Sequence, residues 1–387
     1  MQDVAAMRHC RCGFLSVLPL FFLILIIGGC APKERAPIAI LHTPEHHVVS
    51  GMKLLESGKL SDAEREFNLA KELDPEYCPA FRGLGLVLAY KGDLKSAFDT
   101  MSHAQKLARS KQEEALAYVG FMRLYTRQKD EGWLEHVQEN FERARKTLED
   151  VPHMPDPYLY MGLAYKEACR FSDAAHAFRK ALEINKTLTD RAEQQLKLVQ
   201  KIERAMPGTP IGKKVALLEK VKRVDVAALF IHELKLDAIY KKIRPGLPFK
   251  PPVKGAPIPV DVGDHPLGAD VQAVVDLGVK GLGVFPDGNF APNEFVTRAS
   301  YAIMISDIIA TIADDPSLAT KYRGHVSPFA DVRNDVPCFN AIMVCTTRGI
   351  IEPKRRVRQD IFDPGGPVSG ADALLAIRRL KEDLGIF

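Results

Sequence analysis

Residues 51–75 read GMKLLESGKLSDAEREFNLAKELDP, and Gly51, Leu54, Ala63, Phe67, Ala70 and Pro75 stand at the spacing Gly-x2-Leu-x8-Ala-x3-Phe-x2-Ala-x4-Pro. Shifting by 34 residues gives Gly85, Leu88, Ala97, Met101 and Ala104, preceded by Phe81 and Leu84. A further 77 residues on, Gly162, Tyr165, Ala174, Phe178 and Ala181 follow Tyr158 and Met161 in the same order. Two helices approach closely only where small residues on one face large ones on the other, so the pattern predicts paired antiparallel helices.

A degenerate copy of 43 residues lies between, at 112–154. Its first helix is expected over Ala115 to Arg127, its second carries Val137, Phe141 and Ala144, and the excess length predicts an extended turn around Gln128 to Trp133. Residues 191–207, RAEQQLKLVQKIERAMP, read as a polar-faced helix that caps the array and ends in a proline.

These copies resemble the tetratricopeptide repeat, which implies a helical solenoid with a concave face for a protein or peptide partner. By that resemblance the inward positions are Arg82, Leu86, Ala89 and Tyr90 in the second copy and Leu159, Leu163, Lys166 and Glu167 in the fourth. Leu86 and Leu163 stand where the family's carboxylate-gripping grooves carry Asn, so the expected groove is partly apolar and suited to a helix or extended peptide. The alternative is that these residues coat a spacer.

Beyond Pro207 the repeat stops. A helical segment is expected over Lys213 to Ile243, and the prolines 245, 248, 251, 252, 257, 259 and 266 predict an extended, semi-rigid stretch over 245–266. Residues 212–254 carry eleven Lys/Arg against four Asp/Glu, which suits either an anionic partner or a solvated helix face.

Residues 259–306 then read as helix, turn, helix. Pro259-Val-Asp-Val leads, an apolar run Val271 to Val284 follows, Phe285-Pro-Asp-Gly-Asn-Phe-Ala-Pro292 forms the turn, and Val296-Thr-Arg-Ala-Ser300 opens the next helix, with the Thr297 hydroxyl as its cap. This is similar to the S-layer homology (SLH) motif. A second copy runs from Phe329-Ala-Asp-Val332 to Phe362-Asp-Pro-Gly-Gly-Pro-Val-Ser-Gly-Ala-Asp-Ala-Leu-Leu375, and a truncated one is Val221-Lys-Arg-Val-Asp-Val-Ala-Ala-Leu229. Three copies suit the family's three-fold bundle.

The resemblance implies binding of wall polymer in grooves between copies, through the arginine and acid of the Thr-Arg-Ala-Glu element. The carried-over positions are Arg223 and Asp225 in the first copy and Arg298 in the central one, where Ser300 replaces the acid; Ser369-Gly370-Ala371-Asp372 lacks the arginine. A guanidinium fits pyruvyl or phosphate groups through its planar fork. A purely structural bundle is the competing reading, since Thr297 with Ser300 and Ser369 with Asp372 are also ordinary helix starts.

At the other end, residues 14–29 (FLSVLPLFFLILIIGG) follow Arg8 and Arg11 and read as a secretory signal, with Met7 as a possible start. Ile27-Gly28-Gly29-Cys30 resembles a bacterial lipobox, which implies cleavage before Cys30, a lipid anchor on its thiol and, with Ala31 next, an outer-membrane destination facing the periplasm. An uncleaved anchor with an incidental cysteine is the alternative.

The chain has 387 residues, 46% of them apolar and 26% charged, and a net charge of only +4. This composition excludes a disordered tail or a polytopic membrane protein and gives no support to nucleic-acid binding. Of the seven cysteines, Cys78, Cys169, Cys338 and Cys345 follow Cys30 and read as unpaired buried hydrophobes, with Cys338 and Cys345 on one helix. His46 and His47 point to different faces of a helix and are expected as an exposed pair rather than a chelate. No catalytic motif, cofactor loop or metal-ligand spacing occurs in the mature chain.

The expected fold is therefore mostly α: a tetratricopeptide-repeat solenoid followed by a helical SLH-like bundle. The expected domains are a signal peptide (1–29), a lipidated cysteine and linker (30–43), a repeat domain (44–206) and an SLH-like domain (207–387). The expected role is a non-enzymatic adaptor joining a protein partner to peptidoglycan or a wall-associated polymer, with an assembly factor or pilot for secretion or outer-membrane machinery as the alternative.

Overall fold

The computed structural model describes residues 42–149, 153–184, 189–243 and 258–386. The signal segment, Cys30 with the linker after it, and Pro245 to Pro257 lie outside the described residues. Sixteen α-helices and no strand occur among the described residues, beyond three isolated antiparallel bridges. The chain is mostly α, as the repeat pattern predicts, and divides into two compact units between Gln128 and Lys129.

The first unit holds α1 (Pro44–Glu56), α2 (Leu60–Leu73), α3 (Cys78–Lys91), α4 (Leu94–Lys106) and α5 (Lys111–Gln128). The Thr43 hydroxyl caps α1. Asp93 caps α4 by accepting from the Ser96 N–H at 3.1 Å, just after Gly92 ends α3 in the left-handed conformation (φ 96°). The small-facing-large rule holds atom by atom. A Cβ on Gly51 would stand 2.6 Å from Phe67 Cε1, and Gly83 meets the same ring more closely still. Gly85 lies against Met101, and Gly120 of α5 abuts the Met101 sulfur.

Two histidine and cysteine expectations need correction. His46 is exposed, but His47 is only 8% exposed: its Nδ1 is 2.7 Å from Glu66 Oε2, and its buried Nε2 has no hydrogen-bond partner. The carboxylate that draws it inward lies nineteen residues away on α2, beyond the reach of local pattern. All four described cysteines are free; Cys78 and Cys345 are buried, whereas Cys169 and Cys338 are half-buried.

The second unit opens with α6 (Trp133–Thr147), α7 (Asp156–Glu167), α8 (Phe171–Ile184) and α9 (Thr189–Ala205). Gly162 meets Phe178 as Gly51 meets Phe67, with a would-be Cβ 2.6 Å from Cε1. The helical segment expected over Lys213 to Ile243 consists of three short helices: α10 (Pro210–Val215), α11 (Arg223–His232) and α12 (Leu236–Ile243). Then come α13 (Gly268–Asp276), α14 (Arg298–Ile312), a 3-10 turn (Pro316–Ala319), α15 (Phe339–Thr347) and α16 (Gly370–Asp383). The apolar run Val271 to Val284 is helical only as far as Asp276, because Gly278 turns left-handed (φ 65°). Cys338 is the residue before α15 rather than a member of it.

Helix α9 does more than cap. Val199 and Ile202 are fully buried, and the helix packs on α8 and on α16, with Lys201 Nζ 2.7 Å from Asp372 Oδ1. The helices α7 to α9 and the C-terminal bundle therefore share one core.

Candidate functional site

The bundle closes on itself through three valines. The Val296 N–H donates to Val221 O (3.0 Å), the Val368 N–H to Val296 O (3.1 Å), and the Val221 N–H to Val368 O (2.9 Å). Each valine is buried and stands just before the N-cap of a helix: Lys222 for α11, Thr297 for α14 and Ser369 for α16. This cyclic ring of hydrogen bonds gives the three copies, truncated one included, equivalent places.

Each full copy pins its turn with the aspartate of its leading Asp-Val. Asp261 accepts the N–H groups of Phe290 and Ala291, both at 2.8 Å; Asp331 accepts those of Phe362 (2.9 Å) and Asp363 (2.7 Å). Ala291 and Asp363 are both left-handed, with φ of 55° and 59°. A carboxylate receiving two backbone N–H groups holds that uncommon conformation in place.

The preceding helix start then inserts its arginine into the turn. Arg223 donates from Nε to Phe290 O (2.8 Å), from Nη1 to Gly281 O (2.8 Å) and from Nη2 to Gly283 O (3.0 Å). Arg298 donates from Nε to Phe362 O (2.7 Å) and from Nη2 to Glu352 O (2.8 Å). Both guanidiniums are buried and stack on a turn aromatic, Phe290 at 4.7 Å and Phe362 at 4.7 Å. Burial pushes both arginines below the usual guanidinium pKa; neighbouring carboxylates, Glu294 and Asp261 for Arg223 and Asp372, Asp363 and Asp331 for Arg298, oppose it. Asp225 accepts the Lys222 N–H (2.8 Å) and thereby caps α11. The Thr-Arg-Ala-type elements thus act first as interlocks between copies.

The third position is built differently. A Cβ on Gly370 would overlap the carbonyl oxygen of Val215, and the Gly370 N–H donates to Leu218 O at 2.8 Å. The chain around α10 occupies the place that an arginine-clasped turn takes in the other two junctions. Buried Glu233 fixes that segment by accepting from Thr209 N (2.8 Å), Thr209 Oγ1 (2.6 Å) and Gly208 N (3.1 Å).

Between α9, α14 and α16 lies a partly open cleft. Arg298, Tyr301, Lys201, Arg204, Asp372 and Arg379 line it, with Glu352 and aliphatic side chains completing the wall. Most of its charge is paired: Lys201 with Asp372, and Arg379 with Glu352. Burial works to raise the Asp372 carboxyl, but hydrogen bonds from Lys201 and Ser369 and the charges of Lys201 and Arg298 outweigh it and hold the group below the usual carboxylate range. Arg204 is exposed and pairs with no carboxylate among the described residues. The site thus has three guanidiniums, buried Arg298, paired Arg379 and exposed Arg204, beside a partly aliphatic wall. Lys201, Arg204 and Arg379 escaped the sequence reading because two of them come from the repeat half; the apolar spacing of Val199 and Ile202 was the signal that α9 faces the bundle.

The repeat-half candidates are scattered in burial. Leu86 is 2% exposed and belongs to the core of the first unit, so it offers nothing to a partner; Arg82 is half-buried, and Tyr90 is 40% exposed beneath Arg127 at 5.0 Å. In the second unit Leu163 packs against the core, and Lys166 donates to Gln195 Oε1 at 2.8 Å while burial pulls its ammonium pKa down.

Residues 261–302 match the S-layer homology domain family, which covers the central turn, its Asp261 anchor and the start of α14. No curated protein matches the chain. Membership of that domain family is associated with wall-polymer binding and with the cell surface or envelope. No helix among the described residues is long and apolar enough to cross a membrane.

Proposed function

We propose that this protein is a non-catalytic envelope adaptor whose SLH-like bundle holds an anionic wall-associated polymer or peptidoglycan in the cleft between α9, α14 and α16. The observation that carries the reading is the exposed, unpaired Arg204 beside buried Arg298, in a bundle whose central copy matches the S-layer homology domain. An anionic sugar would pair with Arg204, stack its apolar face on Leu375 and Ala376, and meet the electropositive edge of Arg298. Each unit would present its own protein or peptide partner surface, one including Arg82 and Tyr90 and the other including Leu163 and Lys166. Cys30 would carry lipid and hold the protein in the envelope, on the periplasmic face of the outer membrane. No nucleic acid, cofactor or metal enters this reading.

One observation favours the second reading, an assembly factor or pilot whose bundle contacts protein. Arg223 spends all three nitrogens on carbonyls and Gly370 stands where a third arginine would, so two of the three junctions offer no free guanidinium of the family kind. Co-sedimentation of the chain from residue 31 onward with sacculi, with and without attached secondary polymer, separates the two. Salt-sensitive binding that Arg204→Glu abolishes supports the polymer reading. Binding to neither preparation gives the lead to the assembly factor.

A further inference from the structure

The two full SLH-like copies differ at one turn. In the central copy the Phe285 N–H donates to Asn289 O (2.8 Å), closing a loop of three residues, 286–288. In the last copy the equivalent bond runs from the Lys354 N–H to Ile361 O (2.7 Å) and is joined by its reverse (3.0 Å), and it closes six residues, 355–360. The equivalence is fixed on both sides. Val260 and Ala330, each preceding an anchoring aspartate, donate to Gly288 O and Asp360 O, and the carbonyls of Gly283 and Glu352 each receive an interlocking arginine. Three residues have been inserted here, and the loop reads Arg355-Arg-Val-Arg-Gln-Asp360.

This finger is stiff at the base and bare at the tip. Gln359 Nε2 donates to Pro328 O (3.1 Å), the Ala330 N–H to Asp360 O (3.1 Å), and the Arg356 N–H to Asp360 Oδ1 (3.3 Å). Lys354 is paired with Asp363 and Arg333 with Asp335. Arg355, Arg356 and Arg358 are exposed and pair with no carboxylate among the described residues. Between them Val357 is 105% exposed, and Val326, two residues from the Pro328 anchor, is 87% exposed. Guanidiniums alone would suit any polyanion; a bare valine set among them, with a second beside the residue that anchors the base, suits a surface that is anionic outside and apolar a few ångströms in.

We infer that the 355–359 finger docks the protein on an anionic lipid headgroup surface, its arginines meeting phosphates and Val357 and Val326 entering the acyl boundary. The site is separate from the polymer cleft and does not depend on it. Every described helix and core residue lies after His42, so the chain from residue 31 onward keeps all of them and lacks the apolar segment 14–29. The test is flotation of that chain with vesicles of phosphatidylcholine alone and of phosphatidylcholine mixed with phosphatidylglycerol.

Expected is binding to the mixed vesicles only, weakened by salt, and reduced by at least about tenfold in the triple variant Arg355→Glu, Arg356→Glu, Arg358→Glu. Val357→Asp should reduce it by about threefold, and Arg204→Glu should leave it unchanged. Binding that ignores lipid charge, no binding at all, or wild-type binding by the triple variant overturns the inference. Loss in the triple variant with none in Val357→Asp also overturns it, making the finger a reader of soluble polyanion. Loss in Arg204→Glu would merge it with the cleft.

Discussion

Gly370 sits so tightly beneath the carbonyl of Val215 that no side chain fits at that position, and its N–H donates to the neighbouring Leu218 O at 2.8 Å. Backbone meets backbone there, so the clash from an added methyl cannot be relieved by a rotamer change. Gly370→Ala should lower unfolding stability by at least about 2 kcal/mol, read as a drop in the denaturant midpoint. Unchanged stability would mean that α10 does not close the third junction.

The two interlocking arginines call for the planar fork rather than for charge. Lysine keeps the charge and cannot reach two or three diverging carbonyls, leaving buried acceptors unpaired. Arg223→Lys should cost about 2–4 kcal/mol, and Arg298→Lys should also destabilise, by somewhat less because it makes two such bonds rather than three. Losses below about 0.5 kcal/mol in equilibrium denaturation would sink the interlock.

These arginines mark the limit of what the sequence makes legible. The helix pairs follow from spacing, and the three bundle copies with their helix starts from their resemblance to one motif, because a repeat is a local pattern and Val221, Val296 and Val368 fall in register once the copies are aligned. The destination of a side chain is not local. The carbonyls around Arg223 lie 58 to 67 residues away, and Glu66 draws His47 inward across nineteen. The resemblance that picked out Arg223, Asp225 and Arg298 led to elements that join the bundle copies to one another. It did not distinguish a guanidinium used for assembly from one left to a ligand. The cleft was less legible still, since Lys201 and Arg204 belong to a helix that looks like the end of a different domain.

The Lys201–Asp372 pair gives that junction a pH signature. Asp372 is held below the ordinary carboxylate pKa when folded, so its stabilisation is fully present above the unfolded value of about 3.9 and is lost as pH falls through the folded one. The thermal midpoint of the wild type should therefore fall more steeply than that of Asp372→Asn as pH is lowered below about 4. Parallel curves for the two proteins would show that Asp372 titrates alike in the folded and unfolded states.

In the first unit, one ring serves two glycines. Phe67 of α2 lies against both Gly51 of α1 and Gly83 of α3. Gly83→Ala adds a methyl into that ring and should destabilise by about 2 kcal/mol. Phe67→Leu alone should cost at least about 1 kcal/mol through the cavity it leaves, yet placed with Gly83→Ala it makes room for the new methyl. The double variant should be more stable than the sum of the single effects implies, by about 1 kcal/mol of coupling. Strict additivity in a double-mutant cycle would mean that α2 and α3 do not meet through this ring.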